Sequence, residues 1–98
     1  MASFDIRNKL IGIDTVGVGI LNANLIHPRE VFSLAISRHA AAIIISHNHP
    51  SGESEPSDED VLVTERLVSS GRVVGIEVMD HVIVTKSDFY SFKEHGLL

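Results

Sequence analysis

The sequence contains no cysteine. This absence excludes disulfide bonds, thiolate metal sites and a cysteine nucleophile, and it is typical of proteins in a reducing compartment. No apolar run reaches the roughly 18 residues that span a bilayer. The opening residues MASFDIRNKL also lack the apolar segment of a signal peptide. We therefore expect a cytoplasmic protein that does not associate with a membrane.

Positive charge is also scarce. The 98 residues carry a net charge of −5, and no cluster of lysine and arginine occurs. Because non-specific nucleic-acid binding depends on neutralising phosphates, direct nucleic-acid binding by this chain alone is not expected. The composition, 44% hydrophobic and 21% charged, is that of a soluble globular protein, and the length predicts one domain over residues 1–98.

The first half of the chain predicts a strand followed by a helix. Residues 9–21 are rich in Ile and Val and predict a strand, with Gly17 and Gly19 marking a bulge or bend. Residues 27–41 carry apolar side chains at helical spacing after a proline that suits a first helical turn. We therefore predict a helix there.

The second half repeats this alternation. Residues 41–46 form a short apolar run, which predicts a central strand buried on both faces. Residues 57–71 predict a second helix, with acids in its first turn and Gly71 as its C-terminal stop. Further strands are predicted over 72–84 and 87–92. The order of elements indicates an α/β domain with a mixed β-sheet flanked by two helices.

Two histidines follow the apolar strand with one residue between them. Residues two apart in a strand point to the same side, so His47 and His49 present two imidazoles together while Asn48 faces away. This is the carboxyl end of the strand, where ligands bind in open α/β sheets. Two neutral imidazoles suit zinc, but zinc requires at least one further protein ligand.

The next helix offers that ligand in its first turn. Asp60 stands three residues after Ser57, which marks the helix start, and a helical acid is held more rigidly than the loop acids Glu53 and Glu55. A simpler interpretation is that Ser57 and Asp60 form only a capping box. The histidines would then be exposed polar residues without a ligand. The three side chains together favour a metal site over this alternative.

The pattern also resembles a known motif. His47-Asn48-His49, seven intervening positions, Ser57 and then Asp60 resemble the JAMM motif of MPN (JAB-type) metalloprotease domains. HNHPSGESEPSDED, together with HPREVF and GIEVMDHVIV, resembles the RadC family, which is named for DNA repair. The likeness extends from about residue 8 to residue 92. It implies an MPN/JAB-like fold, which is a cytidine-deaminase-like three-layer domain.

The resemblance implies a particular chemistry. Zn²⁺ would be held by His47, His49, Asp60 and a water, Ser57 would be the catalytic residue that stabilises the oxyanion, and an upstream glutamate would be the general base. In the family this glutamate precedes the stretch that matches FDIRNKL, whereas the first glutamate here is Glu30. The chain is therefore predicted to be N-terminally truncated, to lack the base and to have little activity.

Two functions remain open from the sequence. The resemblance implies a zinc-dependent hydrolase of peptide or isopeptide bonds. The alternative is a non-catalytic metal-binding or protein-interaction module that serves protein partners in DNA repair or recombination. A truncated first strand would also leave its neighbour with unpaired backbone groups. We therefore expect self-association, as a homodimer through an exposed sheet edge.

Asp80 and His81 form a second polar pair, within a predicted strand. They are candidates for a position near the metal site. The favoured interpretation is that they only make hydrogen bonds at a strand end.

Overall fold

The computed structural model describes residues 1–16, 27–49 and 52–98. The elements in chain order are β1 (Ala2–Phe4), β2 (Leu10–Ile13), α1 (Pro28–Ser37), β3 (Ala42–Asn48), α2 (Asp58–Val74), β4 (Glu77–Val84) and β5 (Phe89–Ser91). The strand predicted over 9–21 thus begins as β2, and the bend predicted at Gly17 and Gly19 lies outside the described residues.

The strands form one five-stranded sheet in the order β2-β1-β3-β4-β5. β3 and β4 run parallel, and the other neighbours are antiparallel. The predicted fold class, an α/β domain with a mixed sheet and two helices, is confirmed. Strand β1 was not predicted, because it has only three residues and is defined by its pairing with β2 and β3. Within the described residues, β2 and β5 are the outer strands.

Both helices contribute to one buried apolar cluster against the sheet. Its members share nearly complete burial and come from α1, β3, α2 and the segment before β4: Val31, Phe32, Ala35, Ile43, Val63, Leu67 and Ile76. α1 begins with Pro28 after His27, which occupies the N-cap position without a capping hydrogen bond from its side chain. Burial of these side chains holds α2 across the sheet.

The central strand β3 is less buried than predicted. Ala42 and Ile43 are buried, but Ser46 and Asn48 are exposed. The apolar start of the strand therefore belongs to the core, and its polar end alternates between the helical side and solvent. The backbone N–H of His49 donates to the carbonyl of Val84 at 3.1 Å, which continues the pairing of β3 with β4 past Asn48.

The end of α2 differs from its prediction. The helix continues through Gly71 and ends at Gly75, whose φ of 79° is the left-handed conformation that glycine adopts most readily. A Cβ at Gly71 would lie 2.4 Å from the carbonyl oxygen of Ile76. Gly71 is therefore needed for the close return of the chain after the helix and does not stop the helix.

Candidate metal centre

The structure brings His47, His49 and Asp60 together. The two histidines lie at the carboxyl end of β3, and Asp60 lies in the first turn of α2. One ligand atom from each residue lies within 4.8 Å of the other two. The Nε2 of His49 is 3.0 Å from Asp60 Oδ2, and the Nε2 of His47 is 3.4 Å from Asp60 Oδ1. In the described part of the chain, these residues are the group that could hold a metal ion.

Asp60 is held by a capping box. Its Oδ2 accepts a hydrogen bond from the Ser57 backbone N–H at 2.8 Å, and its own N–H donates to Ser57 Oγ at 3.2 Å. The carboxylate is 2% exposed, and Oδ1 is directed at His47. The capping box and the histidine contacts, which the sequence presented as alternatives, therefore occur together.

The surroundings keep Asp60 ionised and His47 neutral. Burial alone raises the pKa of Asp60, but the Ser57 hydrogen bonds and the two histidines together hold that pKa below its usual range. Burial lowers the pKa of His47, although the charge of Asp60 opposes this shift. At neutral pH the site therefore offers an anionic carboxylate beside a neutral imidazole, which is the protonation state that a divalent metal requires.

The tautomer of neutral His49 follows from its hydrogen-bond partner. Its Nδ1 lies 2.9 Å from the backbone carbonyl oxygen of Glu53. A carbonyl oxygen only accepts, so Nδ1 carries the proton and donates it. In neutral His49 the lone pair is then on Nε2, which faces Asp60 Oδ2. Two acceptors 3.0 Å apart repel one another unless a cation or a proton lies between them.

The arrangement suits a metal ion. The buried Nε2 of His47 has no hydrogen-bond partner among the described residues, although an unpaired buried polar atom is costly. Zinc–ligand bonds of about 2.0–2.1 Å in a tetrahedron place neighbouring ligand atoms about 3.4 Å apart. The contacts of 3.4 Å to Asp60 Oδ1 and 3.0 Å to Asp60 Oδ2 are close to this spacing, whereas one ligand atom from each residue gives a looser group, within 4.8 Å. Two imidazoles and a carboxylate also suit other transition metals, so the group is a candidate metal site whose geometry does not select zinc.

Ser57 lies beside this group with a proton to donate. Its side chain is exposed, and its Oγ accepts from Asp60 N–H at 3.2 Å. That acceptor role leaves the hydroxyl hydrogen available to a ligand at the site.

A comparison with known families agrees with the motif. A family model described as the RadC-like JAB domain matches residues 1–97. The chain belongs to this family. The match covers nearly all of the 98 residues, so the resemblance that the sequence suggested is confirmed.

Relatives of this RadC-like JAB domain include UPF0758 proteins of several bacteria. That of Moorella thermoacetica is 55% identical over 96 residues, which are 98% of this chain and 42% of the relative. That of Symbiobacterium thermophilum is 53% identical over 92 residues, 94% of this chain and 39% of the relative. That of Alkaliphilus metalliredigens is 46% identical over 98 residues, which are 100% of this chain and 42% of the relative. The chain thus spans about two fifths of the length of these relatives.

In this RadC-like JAB domain His81 lies beside the ligand group, as the less favoured interpretation predicted, and it makes hydrogen-bond contacts, as the favoured one predicted. Its ring is fully buried, and its Nε2 lies 2.8 Å from Nδ1 of His47. Asp80 behaves as expected, since its carboxylate accepts hydrogen bonds from Ser91 Oγ and from the backbone N–H of Lys93. The sequence did carry one signal for this position, because His81 stands in the middle of a strand, β4, whose other residues are mostly apolar. Burial lowers the pKa of His81 to about 4, and the neighbouring His47 adds to this shift.

Within residues 1–16, 27–49 and 52–98, neither helix is long and apolar enough to cross a bilayer.

Proposed function

We propose that this RadC-like JAB domain is the zinc-binding part of a JAMM-type metallohydrolase that cleaves peptide or isopeptide bonds. The observation that carries the proposal is the buried, unpartnered Nε2 of His47, which faces the Asp60 carboxylate beside His49. Three ligand atoms that converge without a donor between them are suited to a cation.

Each residue of the site would have its own role in the reaction. Zinc, when bound, supplies a Lewis acid that lowers the pKa of a water to about 7. His47, His49 and Asp60 would hold the ion, and their summed charge of −1 leaves the site positive, which favours an anionic transition state. The hydroxyl of Ser57 would donate to the oxyanion of the scissile carbonyl group. The Glu53 carbonyl would keep the lone pair of His49 on Nε2.

The general base is the remaining requirement. Asp60 is assigned to the metal and accepts from Ser57, so it is a poor candidate for proton transfer. In the described part of the chain, no other carboxylate joins the ligand group. This observation favours a second candidate function, a non-catalytic metal-binding module for a protein partner. A role of that partner in DNA repair is supported by the family's name alone.

Zinc content tests the metal site. Protein purified without chelator should contain about one zinc per chain by elemental analysis, and His49→Ala should lose it. The matched control is His39→Asn, because His39 is exposed and asparagine tolerates its φ of 55°. Equal zinc in the wild type and in His49→Ala would refute the site.

Peptidase assays separate the two functions. The full-length relative from Moorella thermoacetica, loaded with zinc, should cleave members of a peptide and isopeptide library. This 98-residue chain, in which no described carboxylate other than Asp60 joins the ligand group, should be slower by about 100- to 10,000-fold, because a general base contributes about that much. If the relative binds zinc tightly and cleaves nothing, the hydrolase is wrong and the binding module replaces it.

A further inference from the structure

A buried polar chain lies behind His47, on the side away from Asp60. The Nδ1 of His47 lies 2.8 Å from Nε2 of His81, and Nδ1 of His81 contacts the hydroxyl of Thr64. His81 is 0% exposed and Thr64 is 2% exposed. The ring of His81 also stacks on Phe92, with centroids 4.6 Å apart and planes 14° apart. The imidazole of His81 is therefore held in one orientation, and its two nitrogens have fixed partners.

The direction of each hydrogen bond follows from the single proton of a hydroxyl group. Thr64 Oγ1 lies 2.8 Å from the carbonyl oxygen of Asp60, one turn earlier in α2, and donates its proton there. The hydroxyl must then accept from Nδ1–H of His81. A neutral imidazole with its proton on Nδ1 has its lone pair on Nε2. The Nδ1 of His47 is consequently the donor in the contact between the two rings.

These hydrogen bonds determine which nitrogen of His47 faces the metal site with a lone pair. With its proton on Nδ1, His47 keeps a lone pair on Nε2, the atom that lies 3.4 Å from Asp60 Oδ1. In the opposite arrangement Thr64 would donate to His81, His81 would donate to His47, and Nε2 of His47 would carry a proton. That proton would have to leave before a metal could bind.

We propose that Thr64 and His81 are positioning residues that fix the proton of His47 on Nδ1 and thereby keep Nε2 ready as a metal ligand. The inference rests on the proposed function in that the ligand is a metal ion. Partners that orient a ligating histidine typically change metal affinity by about 10- to 100-fold when they are removed. The polar chain should therefore act on affinity without contacting the ion.

NMR can determine the tautomers of His47 and His81 in the absence of a metal. In the zinc-free protein labelled with ¹⁵N-histidine, NMR correlations between ring nitrogens and ring carbon-bound protons should show His81 and His47 both protonated at Nδ1. A proton on Nε2 of His81 would overturn the proposal. If the tautomers are as stated and the protein binds no zinc, the metal site fails while the polar chain stands.

A matched pair of variants tests the effect on affinity. Thr64→Val keeps the shape and removes the hydroxyl, whereas Thr64→Ser keeps the hydroxyl. Competition with a chromophoric chelator should give a zinc Kd about 10- to 100-fold weaker for Thr64→Val and close to wild type for Thr64→Ser. Equal affinity in Thr64→Val and the wild type would overturn the proposal.

A second pair keeps the test decisive if Thr64→Val does not fold. In His81→Gln the amide oxygen reaches the position of Nε2 and still accepts from His47. In His81→Asn the shorter amide contacts only Thr64. Zinc should bind more tightly to His81→Gln than to His81→Asn, and the reverse order would contradict the assigned direction.

Discussion

Replacing Asp60 with asparagine should separate metal binding from stability. The carboxylate is 2% exposed and faces Nε2 of His49 at 3.0 Å and Nε2 of His47 at 3.4 Å, while it accepts from Ser57 N–H at 2.8 Å. Asparagine has the same shape. It retains one acceptor oxygen and places a donor NH₂ group where the second oxygen was.

Without zinc, Asp60→Asn gains one hydrogen bond and loses one favourable charge at the helix start, and the two free energies nearly cancel. If the amide oxygen occupies the Oδ2 position, it keeps the hydrogen bond from Ser57, and the NH₂ group donates to the unpartnered Nε2 of His47. A neutral hydrogen bond contributes about 0.5–1.5 kcal/mol. Losing a negative charge from the first turn of a helix costs about 0.3–1 kcal/mol. In EDTA at pH 8, Asp60→Asn should therefore unfold within about 1 kcal/mol of the wild type.

With zinc, the two proteins should differ clearly. Zinc at 100 times its Kd stabilises the wild type by about 2.7 kcal/mol, which corresponds to a rise in Tm of roughly 10–20 °C for a domain of this size. Asp60→Asn should show almost no rise, because a neutral amide is a poor zinc ligand. Thermal unfolding followed by circular dichroism, in EDTA and in zinc, measures both quantities.

Asp58→Asn is the matched control. Asp58 is an exposed acid in the same helical turn, so this variant loses the same charge away from the site. It should keep the zinc-dependent rise in Tm. A loss of 3 kcal/mol or more by Asp60→Asn in EDTA would refute the reasoning about the amide, and an undiminished rise in zinc would refute Asp60 as a ligand.

Three further predictions concern pH, packing and the sheet edge. Burial lowers the pKa of His81 from 6.5 to about 4, so between these pH values the unfolded chain binds a proton that the folded protein does not. The free energy of unfolding of the zinc-free protein, measured by denaturant titration, should therefore fall by up to about 3 kcal/mol as the pH falls from 6.5 to 4. A constant unfolding free energy in that window would contradict this. Gly71→Ala should lower the free energy of unfolding by about 1–3 kcal/mol, because the new Cβ would press on the backbone carbonyl oxygen of Ile76. The control Ser69→Ala, at an exposed helical position, should change stability little. Equal effects of the two substitutions would contradict the close approach at Gly71. We also propose that the protein self-associates through β2, whose outer side pairs with no strand among the described residues. Ile13→Lys, at a position 71% exposed, should lower the mass measured by light scattering, and a wild-type monomer at high concentration would argue against the edge.

Much of the site was determined by the sequence itself, because its geometry is local. His47 and His49 share a side of β3 because strand side chains alternate with period two. Asp60 lies one turn from the start of α2 because Ser57 caps that helix. Neither relation depends on what packs around it, so spacing and residue type were enough to predict that these side chains could converge.

The tertiary structure decided what lies behind those ligands. β3 and β4 are separated in sequence by α2, and the parallel register that sets Ile45 beside His81 brings the His81 ring to His47. The three-residue β1 likewise exists only through its pairing with β2 and β3. The hydrophobic pattern of a strand fixes which of its faces is buried, but which residue of β4 lies beside which residue of β3 depends on how the two distant segments pack together. The sequence therefore predicted the atoms that face a metal, while only the folded sheet determined which groups fix the protons on those atoms.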